Sequence, residues 1–220
     1  MEVRHTLYDS TFDVVLEKLT ISSSVEAITN LHIALNKVLE KKPAHIIAKS
    51  NKTLACHSGC AHCCYLRVHI FAFEAILIHD YINHSVSKRD RKQIIDNIKI
   101  NASTISSMTS EEHLLTNIKC PMLIKEKCII YPARPLACNQ YHSIEIEDCN
   151  MSFMRPTDKS LTIRVIPELK QFYDITIKAI SEAYTKSGHD NSRNELSTSL
   201  VKIFENPSLV EKWHQGEIIF

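Results

Sequence analysis

Glycine is scarce in this chain. Only Gly59, Gly188 and Gly216 occur in 220 residues, well below ordinary usage, and a turn-rich β fold is hard to build on so few. Charge of one sign is lacking too. Lys and Arg number 26 against 25 Asp and Glu, a formal net charge of +1, so no broad field exists to hold a phosphate backbone or an anionic bilayer. Nucleic acid is therefore not expected as a partner. The segment Met1–Asp9 has no apolar signal core. The longest apolar run, Ile70 to Ile78, is interrupted by Glu74 and is too short to span a bilayer. The expectation is a cytoplasmic protein with no membrane partner. Phosphate loops, dinucleotide fingerprints, HExxH pairs and G-x-S-x-G elbows are all missing.

What the chain does have is cysteine, and it is confined to one window. Four of the eight fall at Cys56, Cys60, Cys63 and Cys64, and the others are Cys120, Cys128, Cys138 and Cys149. In a reducing compartment disulfides rarely persist, so clustered cysteines point to metal or redox chemistry. In an oxidising compartment the same eight would make four disulfides. Thiolates are soft ligands that favour zinc or iron–sulfur clusters. Cys56, Cys60 and Cys63 are spaced three or four apart and converge on one centre if the loop folds over it. Gly59 stands before Cys60, where a turn with positive φ lets backbone amides face sulfur. Cys63 and Cys64 are adjacent, and neighbouring side chains normally diverge. Either they serve two metals, or one is a ligand and the other is packed or redox-active. Three local thiolates leave a tetrahedral site incomplete, so at least one ligand is expected from 120–149.

The flanks read as helices. Residues 10–19 and 23–42 show helical apolar spacing, the second through Val25, Ile28, Leu31, Leu35, Val38 and Leu39. Ser22 to Ser24 are placed to cap it. A short helix is expected over 44–54, an extended stretch over 66–70, and helices over 72–84 and 88–107, the last capped by Ser87. Residues 120–149 look loop-rich, with three prolines. A strong stripe of Leu169, Phe172, Tyr173, Thr176, Ile180, Ala183 and Tyr184 marks a helix over 166–186 ending at Gly188. Further helices are expected over 191–204 and from Pro207 to Trp213. The fold class is mainly α, a single helical domain with a loop-rich, cysteine-ligated metal core. Its segments are 1–53 helical, 54–150 metal-binding and 151–220 helical.

Other residues invite attention. Of twelve histidines, His57 and His62 lie inside the first cluster as alternative ligands, and His142 is the best candidate outside it. Arg134, stiffened between Pro132 and Pro135, is placed either to offset thiolate charge or to form a surface salt bridge. Glu74 lies on an otherwise apolar stretch, where a buried carboxylate needs a partner, and a structural role near the site is expected.

Two signatures carry a family resemblance. Cys56-x-x-Gly59-Cys60-x-x-Cys63-Cys64-x-x-x-Val68, followed by Glu74-Ala75, resembles the opening of the CxxCxxCC cysteine-cluster proteins, the YkgJ family. Cys120-Pro121-x-Leu123, then Cys128-x-Ile130-Tyr131-Pro132-x-Arg134-Pro135-x-x-Cys138, resembles its second signature, and Cys149 its closing cysteine. The chain departs by one extra residue between Cys56 and Cys60, and by Asn139 where arginine is common. The resemblance implies a domain that chelates zinc or iron, with an iron–sulfur cluster as one form. It also implies one alternative, an iron–sulfur-dependent protein-modifying or redox enzyme related to flagellin lysine methylases, and the chain itself leaves another open, a zinc-stabilised module for a protein partner.

Overall fold

The computed structural model describes residues 2–22, 24–41 and 43–220. Its architecture follows from one helix whose first half is buried on every face. That helix is α4 (Ala72–Ser85), and Ala72 through Ile78 are all buried. A stretch buried all round must be surrounded, and α4 packs against α2 (Val25–Lys41), α10 (Leu196–Glu205) and strand β1 (His69–Phe71). Ser24 Oγ accepts the Ala27 N–H at 3.2 Å at the start of α2. Ser23 and Lys42, the ends of the helix expected there, lie outside the described residues.

The amphipathic helices pack around this centre. Helix α9 (Pro167–Lys186) buries all seven residues of its expected stripe. It lies along α1 (Glu2–Ile21), which is longer than its apolar spacing predicts. Helix α5 (Lys88–Ser106), capped by the Ser87 hydroxyl at 3.2 Å from the Asp90 N–H, turns Ile94, Ile98 and Ala102 inward and packs on α10. One continuous apolar core runs from Val15 and Leu19 through Phe73, Ile98 and Tyr184 to Trp213 and Ile219. The protein is a single, mainly α domain. Among the described residues no helix is long and apolar enough to cross a membrane.

Sheet is minimal and local. β1 pairs antiparallel with β4 (Arg193–Glu195), setting Phe71 opposite Arg193. This corrects the helix expected from residue 191, whose first residues pair as a strand before α10 begins. A short helix α6 (Ser110–Leu114) follows α5, and the loop-rich window holds more helix than expected, in α7 (Leu136–Gln140) and the start of α8 (Ile146–Met154). Helix α6 is closed by a Thr109/Glu112 capping box, the Thr109 hydroxyl accepting the Glu112 N–H at 3.2 Å and Glu112 the Thr109 N–H at 2.7 Å. That box is visible in the sequence as T-x-x-E.

Two devices place the second cysteine group. The hairpin β2 (Leu123–Ile124) to β3 (Lys127–Cys128) turns through Lys125 and Glu126, both left-handed at φ of 50° and 57°. This tight turn brings Cys128 back beside Cys120. The other device is Glu74. Its Oε2 accepts the Phe71 N–H at 2.9 Å, and its Oε1 accepts the Leu136 N–H at 2.7 Å. The carboxylate therefore locks the first turn of α4 to the start of α7, which carries Cys138. Burial raises its pKa from the ordinary 4.5 to about 7, against the pull of the two N–H groups.

Two outcomes follow. Glu126→Gly should raise stability by about 1 kcal/mol, because glycine removes the strain of a left-handed side-chain-bearing residue. The exposed Lys119–Glu126 pair at 3.7 Å adds little that could be lost. An unchanged or lower urea midpoint would contradict this. For Glu74, the folded state holds the proton more tightly than the unfolded chain. Its stabilising contribution is therefore complete below about pH 4.5 and declines as pH rises to about 7. The decline is on the order of 3 kcal/mol. Glu74→Gln should lose stability at acid pH, by about 1–3 kcal/mol for one unpaired N–H, yet show a flatter pH profile from 4.5 to 7. Parallel profiles in denaturant melts would contradict the assignment.

Candidate metal centre

The first cysteine group hangs on a turn and a short coil. The His57–Cys60 turn is closed by the Cys60 N–H on the His57 carbonyl at 3.0 Å, with Gly59 at φ 89° as the sequence predicts. A 3₁₀ turn over His62–Tyr65 follows. Cys63 and Cys64 share this turn, and the Cys64 side chain raises the Cys63 pKa.

Backbone hydrogen bonds stitch the second group onto this coil. The Cys120 N–H donates to the Cys64 carbonyl at 2.7 Å, and the Ile118 N–H to the Tyr65 carbonyl at 3.2 Å. At the other end, the Ala55 N–H donates to the Ser143 carbonyl at 2.8 Å. Ser143 is fully buried between Cys56 and Cys149. Its backbone N–H bonds the Cys56 thiol, and its hydroxyl, which donates to the Glu145 carbonyl at 2.7 Å, lies within reach of the Cys149 thiol. Nothing in the sequence singled out Ser143, because its role comes from loops distant along the chain.

All eight cysteines are free thiols. Cys56 is exposed, Cys149 is buried, and the others lie between. They form two groups within electrostatic range of a shared member. Cys56 and Cys149 feel Cys63 on one side, and Cys120, Cys128 and Cys138 feel it on the other. A cavity of about 10 Å³ bounded by His62, Cys63, Tyr141 and Cys149 leaves room for about one water. Among the described residues, no three Cys, His, Asp or Glu side chains are drawn together closely enough to hold an ion as they stand.

The electrostatics disfavour bare thiolates. Cys63 is raised first by its hydrogen bond with Cys64 and then by burial. Burial pushes Cys120 up to about 12 and Cys138 well above the usual thiol range. Cys128, Cys56 and Cys149 rise for the same reason. Hydrogen bonds oppose that rise, from the Ile130 N–H at Cys128 and from Ser143 at the other two. Arg134 also acts against it, lowering Cys63 and Cys128 through its charge. The Arg134 guanidinium lies 4.0 Å over the Tyr131 ring. It donates to Asn139 Oδ1 at 2.6 Å and pairs with Glu40 at 3.2 Å. Asn139, where the resembled family commonly has arginine, is itself held by Asn36 at 2.8 Å. The salt bridge and the offset of thiolate charge thus coexist in one side chain.

The histidines separate clearly. His142 is buried with Nδ1 on the Gln140 carbonyl at 3.0 Å and Nε2 accepting the Ile166 N–H at 3.0 Å. Both nitrogens are occupied by backbone, so its expected place among the ligand candidates gives way to a structural clamp. His62 keeps Nδ1 at 3.6 Å from the Cys60 sulfur, and His57 bonds the Ser58 carbonyl at 3.1 Å.

The donor chemistry fits a thiophilic metal. Eight free thiols lie in one window, the charge of Arg134 acts on Cys63 and Cys128, and no disulfide competes. Comparison with known proteins finds no match among curated proteins or solved structures. A family model described as "Putative zinc- or iron-chelating domain" matches residues 55–174, from the start of the first cysteine group into α9. The chain belongs to this CxxCxxCC family.

Proposed function

We propose that the chain is a metal-binding cysteine-cluster protein in which Cys56, Cys60, Cys63, Cys64, Cys120, Cys128, Cys138 and Cys149 supply the ligands for zinc or for iron, including iron in an iron–sulfur cluster. The observation that carries this reading is the joining of the two cysteine groups by the Cys120 N–H to Cys64 carbonyl bond at 2.7 Å, inside the matched chelating domain. A protein without a ligand to hold has little reason to keep eight free thiols in one window beside a guanidinium. Bound metal would supply the positive charge that burial makes the thiolates need. Arg134 would complement the surplus negative charge, and Ser143 would orient Cys56 and Cys149.

Residues 54–150 serve as the metal-binding core, with 1–53 and 151–220 as the helical support. Free thiols in this number suit a reducing compartment, and the cytoplasm is the setting we infer.

The test is elemental analysis and visible absorption of protein purified anaerobically. Stoichiometric zinc or iron is expected, and Cys63→Ser should lose most of it because it removes the member common to both groups. A visible band would assign an iron–sulfur cluster, and a colourless zinc protein the simpler site. Folded protein free of stoichiometric metal, or a Cys63→Ser variant with the full complement, would contradict the reading.

A further inference from the structure

A second feature is a cleft that borders α7. It measures about 370 Å³ and opens between α7, α9 and the β1–β4 ribbon, with Phe71, Ala137 and Ile177 giving it an apolar lining. That volume suits a small molecule. Four charged side chains also line it, and their commitments differ.

The two acids are already satisfied. Glu74 gives one oxygen to each of two backbone N–H groups. Asp174 takes Lys170 at 2.7 Å on one oxygen and the Gln140 side chain on the other. The two cations are not. Lys178 is held only loosely, by Glu182 at 3.8 Å through exposed side chains and by the Tyr8 ring at 5.9 Å. The Arg193 guanidinium lies 4.8 Å over the Phe71 ring and makes one long hydrogen bond, 3.4 Å to the His69 carbonyl. Among the described residues Arg193 forms no ion pair. A guanidinium has five N–H donors in a fixed fork, and stacking on an aromatic face fixes its plane. Its unused donors are therefore preoriented at the rim of the cleft.

We propose that this cleft binds a small organic carboxylate, its anionic end on Arg193 with Lys178 nearby and its short apolar body against Phe71, Ala137 and Ile177. The planar fork of arginine matches a carboxylate through two parallel hydrogen bonds. A monoanion suits the cleft better than a dianionic phosphate, because the Asp174 carboxylate also lines it and adds repulsion with each negative charge. Ala137 precedes Cys138 in α7, so the bound molecule would lie beside the proposed metal centre. The cleft's own recognition of the anion does not depend on metal.

The test is a ligand-observed NMR titration of the metal-replete protein with butyrate, inorganic phosphate and butylammonium. Saturable binding of butyrate is expected. Arg193→Gln should weaken it by about tenfold or more, the scale of a lost charge-assisted pair, and Ile177→Trp should block it by filling the cleft. Both variants should keep the wild-type circular dichroism and metal content, which separates this result from any failure at the cysteines. The proposal is overturned by absence of saturable butyrate binding, by equal binding in a folded Arg193→Gln protein, or by tighter binding of phosphate or butylammonium.

Discussion

The hydrogen bond from the Cys120 N–H to the Cys64 carbonyl, at 2.7 Å, is the contact on which the candidate centre depends. It joins two cysteine groups that are far apart in sequence, and closing so long a loop costs conformational entropy. The surrounding structure shares that task. The Ile118–Tyr65 and Ala55–Ser143 backbone bonds extend the seam, the β2–β3 hairpin returns Cys128 to Cys120, and Glu74 fastens the start of α7 to the central helix. Each of these contacts is short-range and directional. They position the sulfurs, while Met122, Ile124, Ile130 and Leu136 of the same window anchor it in the apolar core.

That division of labour separates two kinds of stability in one domain. Helices α4, α9 and α10 are held by a continuous apolar core, the dominant favourable term in folding. The cysteine window has half-buried thiols that resist ionising and a strained two-residue turn. Burying thiols around a common point is unfavourable for the ionised form that a metal requires. A bound cation reverses the sign of that electrostatic cost. Structural metal sites are worth on the order of 10 kcal/mol, so the centre can be both the window's weakest part without metal and its strongest part with it.

Much of the architecture was legible because it rests on periodicity. The α9 stripe, the α5 cap at Ser87 and the termination near Gly188 are local signals, and each appears in the structure where the sequence places it. Gly59 was legible for the same reason, since a positive φ before Cys60 is a local requirement. What escaped was set by tertiary contact. Arg193 to Glu195 read as helix and pair with β1 instead, because the edge of that ribbon is available to them. Lys125 and Glu126 are not the residues a two-residue hairpin prefers. His142 stood out as a ligand by proximity to Cys138, yet the Ile166 N–H from the start of α9 takes its second nitrogen. Ser143 carries no motif at all. Glu74 was legible in kind, as a buried acid needing partners, while the identity of its Leu136 partner was not.

The central claim is that metal holds the cysteine window together while the helices persist by their own packing. Hydrogen exchange of the metal-replete and metal-stripped protein tests it most directly. The account predicts that stripping metal removes protection selectively from residues 56–64 and 118–149, leaving the amides of α4, α9 and α10 protected. Equal protection of that window in both forms, with an unchanged melting temperature, would contradict it.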